Sequence, residues 1–494
     1  MKIRLLFVAA IACCMQSLSA RDFSYEYKGA RITYTVLNEA TGTCEVAKYQ
    51  YFNGELTLPE HPYDGSRMYT LTSIGGGAFC INAMNGDITK VTIPNTVTNI
   101  GAGAFQRNKI TSVDIPSSVT YIGDGAFHSN PLTSLTIPAS VTYIGELAFY
   151  KHRLKTVSIP GSVTTIGDWA FMSDTLKEVF LEDGTATLEL SCRAFRNSAD
   201  DEMLGLEYLY LGRNLSYQSG LPESPFAGCR TLKELSIGNH VTTIGDYLFY
   251  DCSSIQGALK LPSSLTSIGR YAFSGCHLPG VLKLPSSLRT IGNYAFQYCS
   301  GLSGDLVIPE GITSIGDRVF YSCGGYADAT LSLPSTLKSL AYLCFSNSNF
   351  KKIYSYSTVP PVAVNMYTPP FTASNYEATL YVPGVALEAY KNSDLWKKFF
   401  AIKAIDGSGI DIMEEDRGDI LSLSDDGITV NLNSNDSYAE IKVYDMGGAI
   451  RLRRLIPAGT VYCESFGGHT LPSGLYIITL TTSTSSLSRK FSIR

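Results

Sequence analysis

The sequence predicts a mainly β protein, in which a solenoid of about 12 turns is followed by a small C-terminal β-sandwich. Two observations support this fold class. One unit with the same apolar letters recurs along most of the 494 residues, and after residue 420 it gives way to short alternating strands. The composition agrees, because 31 Tyr and 22 Phe with abundant Ser and Thr favour pleated strands over helices.

The strictest copies of the unit place Pro94, Pro116, Pro138 and Pro160 at intervals of 22 residues. Including the residues that replace proline, about 12 turns are marked in this way: Pro59, Pro94, Pro116, Pro138, Pro160, Glu182, Gly212, Gly238, Pro262, Pro285, Pro309 and Pro334. A period of this length is typical of solenoids, in which each turn buries its apolar face against its neighbours.

Each letter of the unit has a physical role. Leu135 and Ile137 direct their side chains inward from a short strand, and Pro138 ends the strand because it has no N–H to donate. Gly145 permits a tight or positive-φ turn, and Phe149 inserts a large ring into the core. This phenylalanine recurs and predicts a continuous aromatic column: Phe79, Phe105, Phe127, Phe149, Phe171, Phe195, Phe226, Phe249, Phe273, Phe296, Phe320 and Phe345.

The IPxSVTxIGxxAF unit resembles the BspA-type leucine-rich repeat of bacterial surface proteins. The resemblance covers residues 56–405, including a C-terminal cap from about 351 in which Tyr390, Trp396 and Phe399 are expected to be capping aromatics. It implies adhesion or binding of a host protein.

The two ends of the chain have different patterns. Residues 1–20 combine a basic start, an apolar run and small residues before a cleavage point, which predicts a signal peptide and export to the outer cell surface or the extracellular space. Lipidation at Cys13 or Cys14 is left open. The run is shorter than the roughly 18 residues that span a bilayer, and no later run reaches that length, so no transmembrane segment is expected.

The solenoid is flanked by shorter segments. Residues 21–55 alternate like a hairpin and predict an N-terminal β cap, whereas 406–419 are acidic and Gly-rich, as in a linker. Residues 420–494 predict the β-sandwich. Their KVYDMGGAI and RKFSIR stretches resemble the type IX secretion sorting domain, which implies passage of the outer membrane and attachment or release. A terminal β-domain without sorting activity is the alternative.

Catalytic, metal and cofactor chemistry is not indicated. Five cysteines, namely Cys229, Cys252, Cys276, Cys299 and Cys323, each follow a repeat phenylalanine by three residues, which favours a buried column of thiols over disulfides or a soft metal site. The histidines have no ligand spacing, and no nucleophile has an evident base. We therefore expect no enzyme activity and no cofactor. The net charge of −5 also argues against a nucleic-acid partner.

A candidate ligand-binding face is predicted where aromatic residues interrupt the polar outward positions of the strands. Phe180, Tyr208 and Tyr210, with Glu178 and Glu234, form this set. Insertions at 200–205 and 217–225 break the period nearby, and solenoid insertions often map to a binding face. An equally weighted alternative is that the rings only shield a poorly packed junction.

The sequence thus predicts an exported cell-surface binding protein, an adhesin or recognition solenoid, that engages an extracellular host protein or a glycan. The alternative is a structural surface spacer with no specific ligand. A hydrolase carried on a repeat scaffold lacks a supporting set of residues. The sequence does not decide the identity of the ligand, anchorage or release, the oxidation state of the cysteines, the curvature or the oligomeric state.

Overall fold

The computed structural model describes residues 21–405, except 51, 82–86, 197–204, 221–223, 327 and 365–368, together with the strands of the C-terminal region. The predicted signal peptide and linker lie outside the described residues. The chain divides into two compact units, Met1–Lys403 and Ala404–Arg494. None of the helices in the described part of the chain is long and apolar enough to cross a membrane.

An antiparallel meander begins the first unit, with strands β1 (Asp22–Tyr27), β2 (Ala30–Asn38) and β3 (Thr43–Tyr49). The first hairpin turns through Lys28 and Gly29, both at positive φ. Alternate side chains of β2 are buried, so its apolar residues face the solenoid core. Strand β3 then pairs in parallel with the first solenoid turn and thereby joins the meander to the solenoid.

Short strands make up the solenoid. In chain order they are β4 (Gly54–Thr57), β5 (Thr70–Ile74), β6 (Ile88–Thr92), β7 (Asn99–Ile100), β8 (Ser112–Asp114), β9 (Tyr121–Ile122), β10 (Ser134–Thr136), β11 (Tyr143–Ile144), β12 (Thr156–Ile159), β13 (Thr165–Ile166), β14 (Glu178–Leu181), β15 (Leu188–Leu190), β16 (Tyr208–Leu211), β17 (Leu215–Ser216), β18 (Glu234–Ile237), β19 (Thr243–Ile244), β20 (Ser267–Ile268), β21 (Thr290–Ile291), β22 (Leu306–Val307), β23 (Ser314–Ile315), β24 (Thr330–Leu333), β25 (Ser339–Leu340), β26 (Lys352–Ser355), β27 (Val362–Ala363), β28 (Thr379–Pro383) and β29 (Ala401–Ile405).

Apart from the last strand, β29, these strands form two series of parallel pairs. The first-strand series contains the sheets β10-β8-β6-β4, β12-β14-β16-β18 and β22-β24-β26-β28-β29. The second-strand series continues from the meander through β5 to β17, and then through β19-β20-β21 and β23-β25-β27. In the regular turns the pairing joins equivalent letters, as in Val91 with Val113, so the 22-residue period is also the register of the sheets.

The core is a column of stacked phenylalanines. Phe79 stacks on Phe105 at 5.2 Å between ring centroids, and the widest steps, on either side of Phe226, are both 6.1 Å. The column runs on to Phe371, one ring beyond the sequence prediction. The mainly β solenoid is confirmed, with about 14 turns in place of about 12. The extra turns contain β26 and β28, and the sequence assigned their residues to the C-terminal cap because they lack the full IPxSVTxIGxxAF unit.

The turn glycines have two separate purposes. Gly145 does not have a positive φ, but a Cβ there would lie 2.5 Å from the backbone nitrogen of Asp124 in the preceding turn, so close approach requires glycine. The positive-φ residue comes two positions later. It is glycine in early turns, such as Gly125 at φ 61°, and a residue with a side chain in later ones, such as Tyr271 at φ 55°.

The end of the solenoid is covered by the predicted capping aromatics and by short helical segments. A short α-helix, α1 (Leu387–Asn392), lies among 3₁₀ turns at Ala373–Glu377, Gly384–Ala386 and Trp396–Lys398. Trp396 is fully buried, donates its indole N–H to the Pro361 carbonyl at 2.8 Å and contacts Phe371. Tyr390 and Phe399 are buried beside it.

In the described part of the second unit, seven antiparallel strands form two sheets. They are β30 (Leu421–Ser424), β31 (Gly427–Asn431), β32 (Tyr438–Asp445), β33 (Ile450–Pro457), β34 (Val461–Ser465), β35 (Gly474–Thr482) and β36 (Ser486–Ile493). Their orders are β30-β31-β34 and β33-β32-β35-β36. Two antiparallel sheets are what a small β-sandwich requires.

Candidate binding surface

The predicted aromatic face lies on the sheet β12-β14-β16-β18. Parallel pairing aligns its outward residues in two rows, which are Thr156, Glu178, Tyr208 and Glu234, and Ser158, Phe180, Tyr210 and Ser236. All five predicted residues therefore belong to adjacent positions on one face. We call Glu178, Phe180, Tyr208, Tyr210 and Glu234 the aromatic patch.

Three half-buried rings form the centre of this patch. Phe180 and Tyr208 contact each other at 5.1 Å between centroids, with a tilt of 39°. Phe180, Tyr208 and Tyr210 are all of intermediate exposure, while the residues between them, such as Val179 and Leu209, are fully buried. The alternation of strand side chains thus puts the aliphatic residues in the core and leaves part of each ring available to a partner.

The hydroxyl of Tyr210 is held by a carboxylate. It donates to Asp183 Oδ1 at 2.9 Å, and His240 Nδ1 lies 3.4 Å from the same oxygen. Burial, followed by the hydrogen bond to Asp183, raises the pKa of Tyr210 to about 12. The ring also lies over Gly238, where a Cβ would come within 2.7 Å of the hydroxyl oxygen. This part of the patch is therefore fixed in position before any ligand arrives.

The rim of the patch is acidic and polar. Glu178 accepts a hydrogen bond from the Thr156 hydroxyl at 2.9 Å, and Glu182 accepts one from Ser158 at 2.5 Å. Glu178 and Glu234 are exposed. Exposed carboxylates around half-buried rings match the usual anatomy of a recognition surface, which has an apolar centre and a polar rim.

Asp183, Glu182 and His240 were missed as members of the site. Glu182 was recognised only as a replacement for the repeat proline, and sequence offers no signal that the next residue bonds a tyrosine in the following turn. The insertion at 200–205 lies almost entirely outside the described residues. In the other loop, Tyr217 follows β17 of the second-strand series, and its hydroxyl bonds the Asp246 carbonyl at 3.0 Å, so Tyr217 does not extend the patch.

The cysteine column is a hydrogen-bonded part of the core. Cys276 Sγ lies 2.9 Å from the Phe249 carbonyl oxygen, and Cys323 Sγ lies 3.0 Å from that of Phe296. All nine cysteines among the described residues are free. Burial raises the pKa of Cys323 to about 12, so this thiol stays protonated and can donate. Core packing is therefore the role supported for this column.

The equivalent position in the early turns has the same function with other residues. Asn108 and Asn130 donate their side-chain amides to carbonyls of repeat phenylalanines, both at 2.8 Å. His152 Nε2 lies 3.1 Å from the Phe171 carbonyl oxygen. In these turns the buried residue at this position can be an amide, an imidazole or a thiol.

We find no enclosed catalytic or metal-binding site among the described residues. Among them, no group of three or more His, Cys, Asp or Glu side chains could hold a metal ion. A shallow groove beside β6 and β8, lined in part by Lys90 and Asp114, has a volume of about 190 Å³. Small-molecule sites usually have about 300 Å³ or more. The open aromatic patch is thus a better candidate than this groove.

Comparisons with known proteins show which family and which solved structures the chain is similar to. A profile of the "BspA type Leucine rich repeat region" matches residues 70–200, 220–351 and 305–366, with 6 copies. No curated protein matches the chain.

Solved structures with similarity to the chain include a leucine-rich repeat protein from Bacteroides ovatus, at 21% identity and a TM-score of 0.39, over 76% of this chain and 98% of that one. A leucine rich cell surface protein from Faecalibacterium prausnitzii has 23% identity and a TM-score of 0.27, over 68% and 96%. The pneumococcal vaccine antigen PcpA has 20% identity and a TM-score of 0.33, over 78% and 98%.

The family profile covers more than half of the chain, and the structure contains the parallel repeat that the profile describes. The chain belongs to the BspA-type leucine-rich-repeat family.

Proposed function

We propose that this protein is an exported bacterial surface protein whose solenoid binds an extracellular protein or glycan through the aromatic patch. The single observation that carries the proposal is the alignment of Phe180, Tyr208 and Tyr210 as half-buried rings on a sheet face whose other outward residues are Thr, Ser and Glu. Tyrosine is enriched among the residues that contribute most to binding energy at interfaces.

The fixed geometry of the patch supports recognition over catalysis. The bond from Tyr210 to Asp183 and the contact between Phe180 and Tyr208 hold the rings without a ligand, so little conformational entropy is lost on binding. The rim carboxylates of Glu178 and Glu234 would favour a partner that presents hydroxyl, amide or basic groups. The protein would therefore act as a binding protein, without an enzyme activity or a cofactor.

Binding of the full mature chain to arrays of extracellular-matrix proteins, mucins and glycans tests the proposal. We expect a saturable ligand, with at least tenfold weaker affinity after Phe180→Ser or Tyr208→Thr. These replacements copy Ser158 and Thr156 on the neighbouring strand, so they suit the same sheet. A matched control is Tyr121→Thr, which removes an exposed tyrosine from the second-strand series. Unchanged affinity in both patch variants would exclude the aromatic patch.

A structural spacer is the second candidate, and one observation favours it. Tyr210 covers Gly238 and is already bonded to Asp183, as expected if the rings only seal an irregular junction. Blank arrays with the wild-type chain would favour this function, and stability losses in the patch variants would then explain why the rings are present.

The proposal also includes the route of export. Residues 1–20 would direct the chain out of the cytoplasm, and the unit formed by β30–β36 would serve as a type IX sorting domain. The two antiparallel sheets of that unit are compatible with this role. A β-domain without sorting activity has the same architecture, so secretion of the chain without residues 420–494 separates the two.

A further inference from the structure

The turns between residues 247 and 342 carry a second set of aromatic residues, outside the first-strand sheet. Tyr247 and Tyr271 stack at 4.8 Å between centroids, and Tyr271 and Tyr294 stack at 4.4 Å with planes 3° apart. Arg318 and Tyr342 continue the series, with the Arg318 guanidinium 4.9 Å from the Tyr342 ring centroid. We call these five residues the tyrosine–arginine column.

This column occupies backbone positions that favour glycine. Tyr247, Tyr271, Tyr294 and Arg318 have φ values of 58°, 55°, 65° and 50°, and the equivalent residue in an early turn is Gly125. A side chain in this left-handed region is disfavoured relative to glycine. Stacking of each aromatic pair stabilises the fold by an amount of similar size. The column therefore gains little stability over glycine, and its side chains require another explanation.

The exposed chemistry of the column is that of ring edges, hydroxyls and guanidinium groups. Tyr271 has a ring on each face, so solvent reaches only its edge, which carries the positive end of the ring quadrupole. Arg270 is exposed with its guanidinium 5.2 Å from the Tyr271 centroid. Neither Arg270 nor Arg318 forms an ion pair with a described residue. Arg318 donates to the Tyr342 hydroxyl at 3.2 Å, which holds the guanidinium in place without neutralising it. Positive ring edges, phenol hydroxyls and two cations that lack a carboxylate partner among the described residues together favour an anionic, oxygen-rich ligand.

Acidic side chains near the tyrosine–arginine column already accept hydrogen bonds from backbone N–H groups. Asp246 Oδ1 accepts the backbone N–H of Arg270 at 2.6 Å, and Asp317 Oδ1 accepts that of Tyr342 at 3.1 Å. These carboxylates connect neighbouring turns, and one oxygen of each already accepts a backbone N–H. Asp251 is paired with Arg230 at 2.6 Å.

The shape of the column decides between a polysaccharide and a protein as partner. It is narrow, about two side chains wide, because Tyr250 contacts Tyr247 and Tyr271 at its side. A stable protein interface buries about 800 Å² on each partner. A linear polymer can follow it, because Arg270 and Arg318 are two turns apart, or about 10 Å at the usual strand spacing. From this geometry we propose that the tyrosine–arginine column and the adjacent Arg270 bind an acidic polysaccharide, with sulfate or carboxylate groups at Arg270 and Arg318 and sugar hydroxyls at the phenols.

Binding of the full mature chain to immobilised polymers tests this site. The polymers are dextran sulfate, polygalacturonate, neutral dextran and polyglutamate. The test variant is Tyr271→Leu/Arg318→Leu, because Leu147 and Leu343 occupy the same turn position at φ 57° and 50°. Leu147→Gly is the matched control at that position outside the column. Circular dichroism and a thermal melt verify that each variant is folded.

We expect saturable binding to dextran sulfate or polygalacturonate, weakened at least tenfold in the double variant and unchanged in Leu147→Gly. The polymer that binds identifies the anionic group as sulfate or carboxylate. With a net charge of −5, the chain as a whole repels polyanions, so binding reports a local site. Absence of binding by the wild type, full retention by the folded double variant, or equal binding to neutral dextran or polyglutamate would overturn the inference.

This site is independent of the aromatic patch. The polymer assay on Phe180→Ser is expected to match the wild type, whereas the array assay on the patch does not involve Tyr271 or Arg318. Failure of one proposal therefore leaves the other standing.

Discussion

The turns before Glu178 and those after Glu234 share one backbone but use different residues to build it. Early turns place an amide or imidazole under the phenylalanine carbonyl, as with Asn130, and late turns place a thiol there, as with Cys276. The left-handed turn residue changes earlier along the chain: it is glycine as far as Gly125, is Leu147 and Trp169 in the next two turns, and is a tyrosine such as Tyr271 in later ones. The first exchange preserves a function of the fold, while the second opposes a backbone preference. A side chain at a backbone position that favours glycine is therefore the better indication of a binding site.

The phenylalanine column gives the largest expected difference between the two regions. Phe149 stacks on its neighbours at 5.5 and 5.2 Å, whereas both steps at Phe226 are 6.1 Å, although both rings are fully buried. We expect Phe149→Ala to lower the free energy of unfolding by about 3 to 5 kcal/mol. Phe226→Ala should cost less, because dispersion contacts weaken with distance.

Urea denaturation followed by circular dichroism measures both losses. Conservative Phe149→Leu and Phe226→Leu variants show whether volume or ring stacking dominates. An equal loss for the two alanine variants would mean that the wider spacing has no energetic consequence.

His152 gives the early turns a pH dependence that the amide turns lack. Its Nδ1 accepts the Leu154 N–H at 3.0 Å, and burial lowers its pKa to about 4, against 6.5 for an ordinary histidine. Because the unfolded chain takes up the proton first, stability is complete above pH 6.5 and is lost as the pH falls towards 4. The loss amounts to about 3 kcal/mol.

The matched control is His152→Asn, which copies Asn130 at the equivalent position. We expect its unfolding free energy to fall less steeply than that of the wild type between pH 6.5 and 4. Parallel pH profiles for the two proteins would show that His152 does not carry this dependence.

The thiol column of the late turns predicts the smallest effect. Cys276→Val keeps an apolar side chain but removes the donor to the Phe249 carbonyl, at a cost of about 1 kcal/mol. Cys276→Ser should cost less, since Ser348 donates to the Phe320 carbonyl from the same position of its repeat. If chemical denaturation shows valine to be as stable as the wild type, the thiol hydrogen bond contributes nothing.

Much of the fold follows from the sequence because the repeat period is also the strand register. Aligning Pro116 with Pro138 is enough to predict that Val113 lies beside Leu135. The last turns were undercounted because strand pairing at Lys352–Ser355 requires no proline. The role of Gly145 was ambiguous in sequence, since contact with the preceding turn and a positive φ both favour glycine.

The candidate sites were less accessible from sequence. The rows that unite Glu178, Phe180, Tyr208, Tyr210 and Glu234 follow from strand alternation and were predicted. The bond between Tyr210 and Asp183 depends on side-chain rotamers across two turns, for which no spacing gives a signal. Tyr271 and Tyr294 were overlooked because they occupy a turn position that the repeat pattern treats as variable.

In-register pairing has a consequence for how such a chain can change in length. Val91 pairs with Val113, and Val113 pairs with Leu135 at the equivalent position of the next turn. Removal of one complete repeat would therefore again pair residues at equivalent positions. Removal of a single residue within a strand would instead exchange its inward and outward side chains. Whole repeats are therefore the unit by which a gene of this kind can be lengthened or shortened without loss of the fold.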